Sequence, residues 1–242
     1  CFLVKAEGID HRVNTVVFVQ FAGDTSQTSL NHYKNIESCY TGTNGITNYI
    51  SKISNGKAEV DTVFPQDSGT AFLQYTSLHE MSYYSSDQTL ASELLSALGN
   101  TIPLNGISVD GNSDGTVDNL TIIAVSDENG NLPAELSGAH KSDYDSTGMD
   151  TFIVAPYYND SVEDASSRNY DIQGVLAHEL LHTFGLPDLY RVTGANTEGH
   201  PVYTWDIMGG VGPTLQYPLS YFRKNLGWID TMPAISAAGT YT

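Results

Sequence analysis

The apolar positions of this chain fall into two rhythms, one suited to strands and one to helices. "VNTVVFVQFAGD" (13–24) is an apolar, β-branched run ending in Gly-Asp, and it predicts a buried strand. "LTIIAVS" (120–126) and "DTFIVAPYY" (150–158) predict two more core strands in the same way. Between Ser26 and Ser54 the spacing turns helical, with Ile46, Tyr49, Ile50 and Ile53 on one face. "SNGKAEVDTVF" predicts a turn at Asn55-Gly56 that opens a further strand. "DQTLASELLSALGN" (87–100) predicts an amphipathic helix with Asp87 as N-cap and Gly99 at its end. Another helix carries "AHELLHTFG" (177–185). Asp171 can cap its start, Val175, Leu176, Leu180 and Phe184 can face a core, and Gly185 followed by Pro187 can stop it. "PLSYFRKNLGW" (218–228) predicts a last helix, and "AISAAGTYT" (234–242) a strand just beginning.

No repeat or low-complexity linker interrupts this order, so strands and helices share one core. That predicts a single α/β (α+β) domain with a mixed sheet. Of 242 residues, 40% are hydrophobic and 16% charged, a balance that supplies ample core. No stretch approaches a membrane-spanning apolar run. The charge is lopsided, with 28 acidic residues against 10 basic and a net charge of -18. Such a surface repels phosphate backbones and excludes nucleic acid as a natural partner, while it suits divalent cations. Two cysteines, Cys1 and Cys39, are too few for a disulfide scaffold and the wrong pattern for a thiolate zinc site. They leave one disulfide, a lipid anchor on Cys1, or no role at all as open readings.

The chemistry begins at "AHELLHTFGLPDLYR" (177–191). Histidines four apart share one face of a helix, so both imidazoles can reach one ion. His178-Glu179-Leu180-Leu181-His182 is the H-E-x-x-H zinc pattern, with Glu179 as general base. Gly185 and Asp188 extend it to H-E-x-x-H-x-x-G-x-x-D. A glycine there lets the chain reverse and return a third ligand, Asp188, to the metal, leaving a fourth position open for water. Glu198 and His200 are reserve third ligands. Downstream, "YTWDIMGG" (203–210) sets Met208 in a tight, glycine-ended turn. His140, in "GAHKSDY", is a candidate cleft-lining group.

A second metal pattern lies in "DGNSDGTVDNLT" (110–121). Asp110, Asn112, Asp114, the Thr116 carbonyl and Asp118 follow the EF-hand calcium spacing, and Gly115 makes the turn. Position 12 is Thr121 in place of a bidentate glutamate, and the loop runs into a strand. A structural Ca²⁺ site that pins a strand is the expectation, with a metal-free Asx-rich turn as its rival.

With these motifs in view, the chain resembles the M6 family of secreted bacterial metalloproteases, the immune inhibitor A type. The resemblance runs through "VVFVQFAGD", "YISKISNGKAEV", "DGNSDGTVDNLTIIAV", "AHELLHTFGLPDLY", "WDIMGG" and "LSYFRKNLGW". It implies a metzincin-like catalytic domain over 1–242: an upper part to about 185, a smaller part over about 186–230, and the start of a β module at 231–242. It implies zinc on His178, His182 and Asp188, Glu179 as base, and Met208 in a Met-turn beneath the metal. Gly210 stands where some metzincins carry a tyrosine ligand. Tyr190, Tyr203 and Tyr217 are the candidates for that residue's role in the transition state. A secreted or cell-surface bacterial zinc endopeptidase acting on proteins or peptides follows, flanked in the family by a propeptide and C-terminal β modules. Two alternatives stay open: a catalytically inactive, calcium-stabilised adhesion domain on the same fold, and a zinc hydrolase of non-peptide substrates.

Overall fold

A computed structural model of the chain describes residues 8–25, 30–66, 72–127, 131–157, 165–190, 201–212 and 214–232, with the backbone alone at 30 and 165–171. Cys1, Glu198, His200 and the segment 234–242 lie outside the described residues. The elements run β1 (Asp10–Gln20), α1 (Leu30–Thr41), α2 (Ile46–Ile53), β2 (Ala58–Val63), β3 (Gln74–Thr76), α3 (Asp87–Ala97), β4 (Val117–Val125), β5 (His140–Asp143), β6 (Met149–Tyr157), α4 (Ala165–Thr183) and α5 (Ser220–Asn225).

Among the described residues six strands form one mixed sheet, five of them in the order β2-β1-β4-β6-β5 with β3 beside β1, so the architecture is mixed α/β. β1 pairs in parallel with β4 and, on its other edge, with β2 along its first half and β3 along its second. β4 and β6 are parallel, and β5 is the one antiparallel member, with His140 opposite Val154. All nine residues of β4 are buried. A parallel central strand is covered on both faces, which explains its unbroken apolar run.

Successive side chains of β1 feed opposite faces, as the period of two demands. Val16 and Phe18 join a core with Ile50 of α2 and Leu176, Leu180 and Leu181 of α4. Val17 and Val19 join a second core with Leu90, Ala91 and Leu94 of α3. The α4 helix is therefore held flat against one face by its apolar stripe. Among the described residues, no helix is long and apolar enough to cross a membrane.

Several boundaries differ from the sequence-based expectation. The helical region before Ser54 is two helices, because "TGTNG" (41–45) breaks it; a Cβ on Gly45 would stand 2.4 Å from the Tyr40 carbonyl oxygen. Ser86, not Asp87, is the N-cap of α3: its hydroxyl accepts from the Gln88 N–H at 3.2 Å, and Asp87 occupies the first turn. Asp171 lies inside α4, which begins at Ala165, so it does not cap that helix. Val175 is half-buried, while Leu176, Leu180 and Phe184 are buried as expected. The final helix is shorter than its pattern, ending before Gly227, whose φ is +76°.

Candidate metal centre

Helix α4 carries His178, Glu179 and His182 over one turn near its C-terminal end. The helix stops at Gly185, whose φ of +90° is a conformation that suits glycine. Its N–H donates to the His182 carbonyl at 2.9 Å, and the reversed chain brings Asp188 back to the histidines. The returning segment is fixed at Leu189, whose N–H donates to the Met208 carbonyl at 2.8 Å.

Three donor atoms converge there. His178 Nε2 lies 3.0 Å from Asp188 Oδ1, His182 Nε2 lies 3.2 Å from the same oxygen, and the two Nε2 atoms are 3.1 Å apart. The other ring nitrogens both meet backbone carbonyls: His178 Nδ1 at 2.9 Å from Ile207 O, and His182 Nδ1 at 2.6 Å from Leu186 O. A carbonyl only accepts, so each Nδ1 carries the hydrogen, and a neutral ring then presents a lone pair at Nε2. Two lone pairs and a carboxylate oxygen thus face one another at contact distance. That arrangement needs positive charge at its centre. A tetrahedral zinc site with bonds of about 2.0 Å separates its ligand atoms by about 3.3 Å, close to the observed triangle. The donor set therefore fits a zinc ion, with two oriented imidazoles and one carboxylate.

Glu179 sits beside this triangle, only 7% exposed. Burial pushes its carboxyl above the ordinary glutamate range; the two histidines oppose that shift and Asp188 adds to it. A cleft of about 440 Å³ opens over the site, lined by His140, Lys141, Glu179, His182, Asp188 and Tyr190. Of the three candidate tyrosines, only Tyr190 lines it. Its ring stacks on His178 at 6.0 Å between centroids, and burial followed by Asp188 pushes its hydroxyl up to about 12. Tyr203 is exposed, and Tyr217 packs beside Tyr49 and Arg223. His140 reaches the cleft at the head of β5, where its Nε2 is 3.1 Å from Asp87 of α3.

Met208 is fully buried in the core that holds Leu176 and Leu180. Sequence reasoning missed the residue that shapes its turn. Asp206 is buried, and its two carboxylate oxygens accept from the N–H groups of Met208 at 2.8 Å and Leu219 at 2.7 Å. An aspartate two residues ahead of a turn is a known local acceptor, so "DIM" held the signal. Arg12 was also missed: its Nη1 donates to the Thr183 carbonyl at 2.5 Å, and its guanidinium lies 4.3 Å over the Phe184 ring. Nothing in β1 marks that partner, which is 171 residues away.

The acidic loop enters β4. Asp110 Oδ1 accepts from the Ser113 N–H at 2.6 Å, Asp110 Oδ2 from Gly115 at 2.9 Å, and Asn112 Oδ1 from Asp114 at 2.9 Å. Thr116 donates by its N–H to Asp114, and Asp118 Oδ2 accepts from Val13 and Gly111, each at 2.7 Å. Thr121 points into the sheet, donating to Asn14 at 2.7 Å, and so contributes nothing to the loop. Cys39 carries a free thiol that burial pushes up to about 11.

Comparison with protein-family models finds no match, and no curated protein matches the sequence.

Proposed function

We propose that this chain is a zinc-dependent endopeptidase of the metzincin-like, M6 type, secreted or displayed at a bacterial surface and stabilised by calcium. One observation carries the reading: the Nε2 atoms of His178 and His182 and Oδ1 of Asp188 converge within 3.0–3.2 Å with both Nδ1 atoms held by carbonyls. Zinc bound there would supply a Lewis acid that acidifies water and polarises a carbonyl. Glu179, inside the same cleft and with its carboxyl raised by burial, is suited to take a proton from water and return it to the leaving amine. A binding module has no use for a base in that position.

The cleft's rim supports a peptide as substrate. Ala139, His140 and Lys141 line it, and β5 is an edge strand whose outer side pairs with no strand among the described residues. An extended chain can add to such an edge through main-chain hydrogen bonds, which fix its backbone across the metal ligands. Tyr190, stacked on His178 within the cleft, is the tyrosine best placed to donate to a developing oxyanion.

Casein hydrolysis by the purified protein, by Glu179→Ala and in the presence of a zinc chelator tests this. Activity should vanish in both controls, with Glu179→Ala still holding one zinc. Full activity in Glu179→Ala would sink the assignment of the base. Ester or small-amide hydrolysis without casein cleavage would favour the non-peptide hydrolase, and a zinc-loaded but inert protein the adhesion domain.

A further inference from the structure

The rim strand β5 is gripped by the start of α3. In the pairing of β5 with β6, Asp143 lies opposite Thr151, and just beyond it the Tyr144 N–H donates to the Asp150 carbonyl at 3.0 Å. Bonded positions alternate along an antiparallel pair. Tyr144, Ser142 and His140 therefore turn their main-chain groups toward β6, whereas Lys141 and Asp143 turn theirs outward. An added peptide would use those outward groups, and some are already taken. Gln88 Nε2 donates to the Asp143 carbonyl at 2.8 Å, and Gln88 Oε1 accepts from the Asp145 N–H at 3.3 Å. One residue of a neighbouring parallel strand would meet the same two groups, a carbonyl and the N–H two residues on. A single side-chain amide thus stands where a strand laid along β5 would continue.

The amide is anchored by its neighbour. Asp87 Oδ2 lies 3.1 Å from His140 Nε2 and accepts from the Ser142 hydroxyl at 3.1 Å. His140 and Ser142 share one face of β5, so α3 begins against that face and Gln88 reaches round the strand's edge. Lys141, which lines the metal cleft, is two residues from Asp143, roughly 7 Å along the strand. We propose that Gln88 is a specificity-determining stop: a peptide extended along β5 pairs at Lys141, and its pairing ends where the Gln88 amide holds Asp143 and Asp145. The substrate it favours is a chain end or an exposed loop, extended over only a few residues on that side of the cleft. The proposal rests on the peptide-substrate reading above.

Casein peptides lengthened one residue at a time, in one set at the N-terminal end and in another at the C-terminal end, test this through KM and kcat of the zinc-loaded protein. The same peptides, dye-labelled, are titrated by fluorescence anisotropy into zinc-loaded Glu179→Ala, which should hold them without cleaving them. At one end, KM and Kd should stop improving with length where the chain reaches Gln88. In Gln88→Ala that limit should move outward by about two residues, the spacing of outward main-chain groups. Peptides past the old limit should bind about 2–10-fold more tightly, the usual worth of one regained main-chain hydrogen bond, with kcat unchanged. Ser92→Ala removes a different α3 contact, with the Tyr144 hydroxyl at 2.9 Å, and should leave the limit in place. A limit that stays put in Gln88→Ala overturns the stop, and so does one that moves equally in Ser92→Ala. Peptides that bind Glu179→Ala but are never cleaved by the unaltered protein overturn the protease reading alone, and the limit in Kd still decides for or against Gln88. A protein that binds no peptide overturns both.

Discussion

Two acids divide the work around His178. In the proposed mechanism Glu179 provides the proton chemistry, and replacing it by glutamine keeps its shape while removing its basicity. Turnover of casein should fall by about 10²–10⁴-fold, the usual share of a general base, with zinc content unchanged by metal analysis. Asp206 acts at one remove. It holds the turn whose Ile207 carbonyl orients the His178 ring. Asp206→Ala would leave the N–H of buried Met208 without an acceptor, at about 1–3 kcal/mol, while the N–H of exposed Leu219 can turn to water. Chemical denaturation should therefore show a loss of about 1–3 kcal/mol. Zinc affinity should drop about 10–100-fold, as is usual when a group supporting a ligand is lost. Unchanged zinc affinity in a folded Asp206→Ala would detach the turn from the metal.

At the scale of elements, α4 is positioned by what it lacks. Gly174 is buried against the chain beyond the Met208 turn, and a Cβ there would meet Val211 Cγ1 at 2.0 Å. Alanine favours a helix interior over glycine by about 1 kcal/mol, yet overpacking at such a contact costs about 1–3 kcal/mol. Gly174→Ala should lower the melting temperature, and adding Val211→Ala should restore it; a stabilised single variant would refute the close packing. This glycine reads in sequence as a weakness of the helix, because its reason lies in a segment far along the chain. The buried strands were legible for the opposite reason. β1, β4 and β6 are covered on both faces, and that coverage is written into each as an apolar run. β5 was not legible: "HKSD" has no strand signature, and only its pairing with β6 makes it one. The candidate site divides in the same way. His178, Glu179, His182, Gly185 and Asp188 are spaced by the helix and its reversal, so local geometry suffices to read them. Arg12 and Asp87 support the candidate site through partners more than fifty residues away, and one-dimensional spacing holds no trace of those contacts.

For the whole molecule, the net charge of -18 acts on encounter more than on the bond being broken. An acidic surface draws cationic peptides toward the cleft and repels acidic ones, and salt screens both effects. kcat/KM for a lysine-rich peptide should fall several-fold between ~0.02 M and ~0.5 M salt, while that for an acidic peptide of matched length should rise. Parallel salt curves for the two peptides would mean that the cleft is shielded from the field of the surface.

Both imidazoles are oriented by peptide carbonyls, Ile207 O and Leu186 O, and not by side chains. No point substitution can delete a carbonyl. Random mutagenesis will therefore find few intermediate grades of metal affinity through these two supports, because they change only when the path of the chain changes. Insertions, deletions and new prolines around 183–188 and 205–209, and loss of Asp206, which holds the second path, are the changes that should retune the proposed metal site. Substitutions of Ile207 and Leu186 that still fill their places should leave metal affinity intact, while a change in the length of either segment should not.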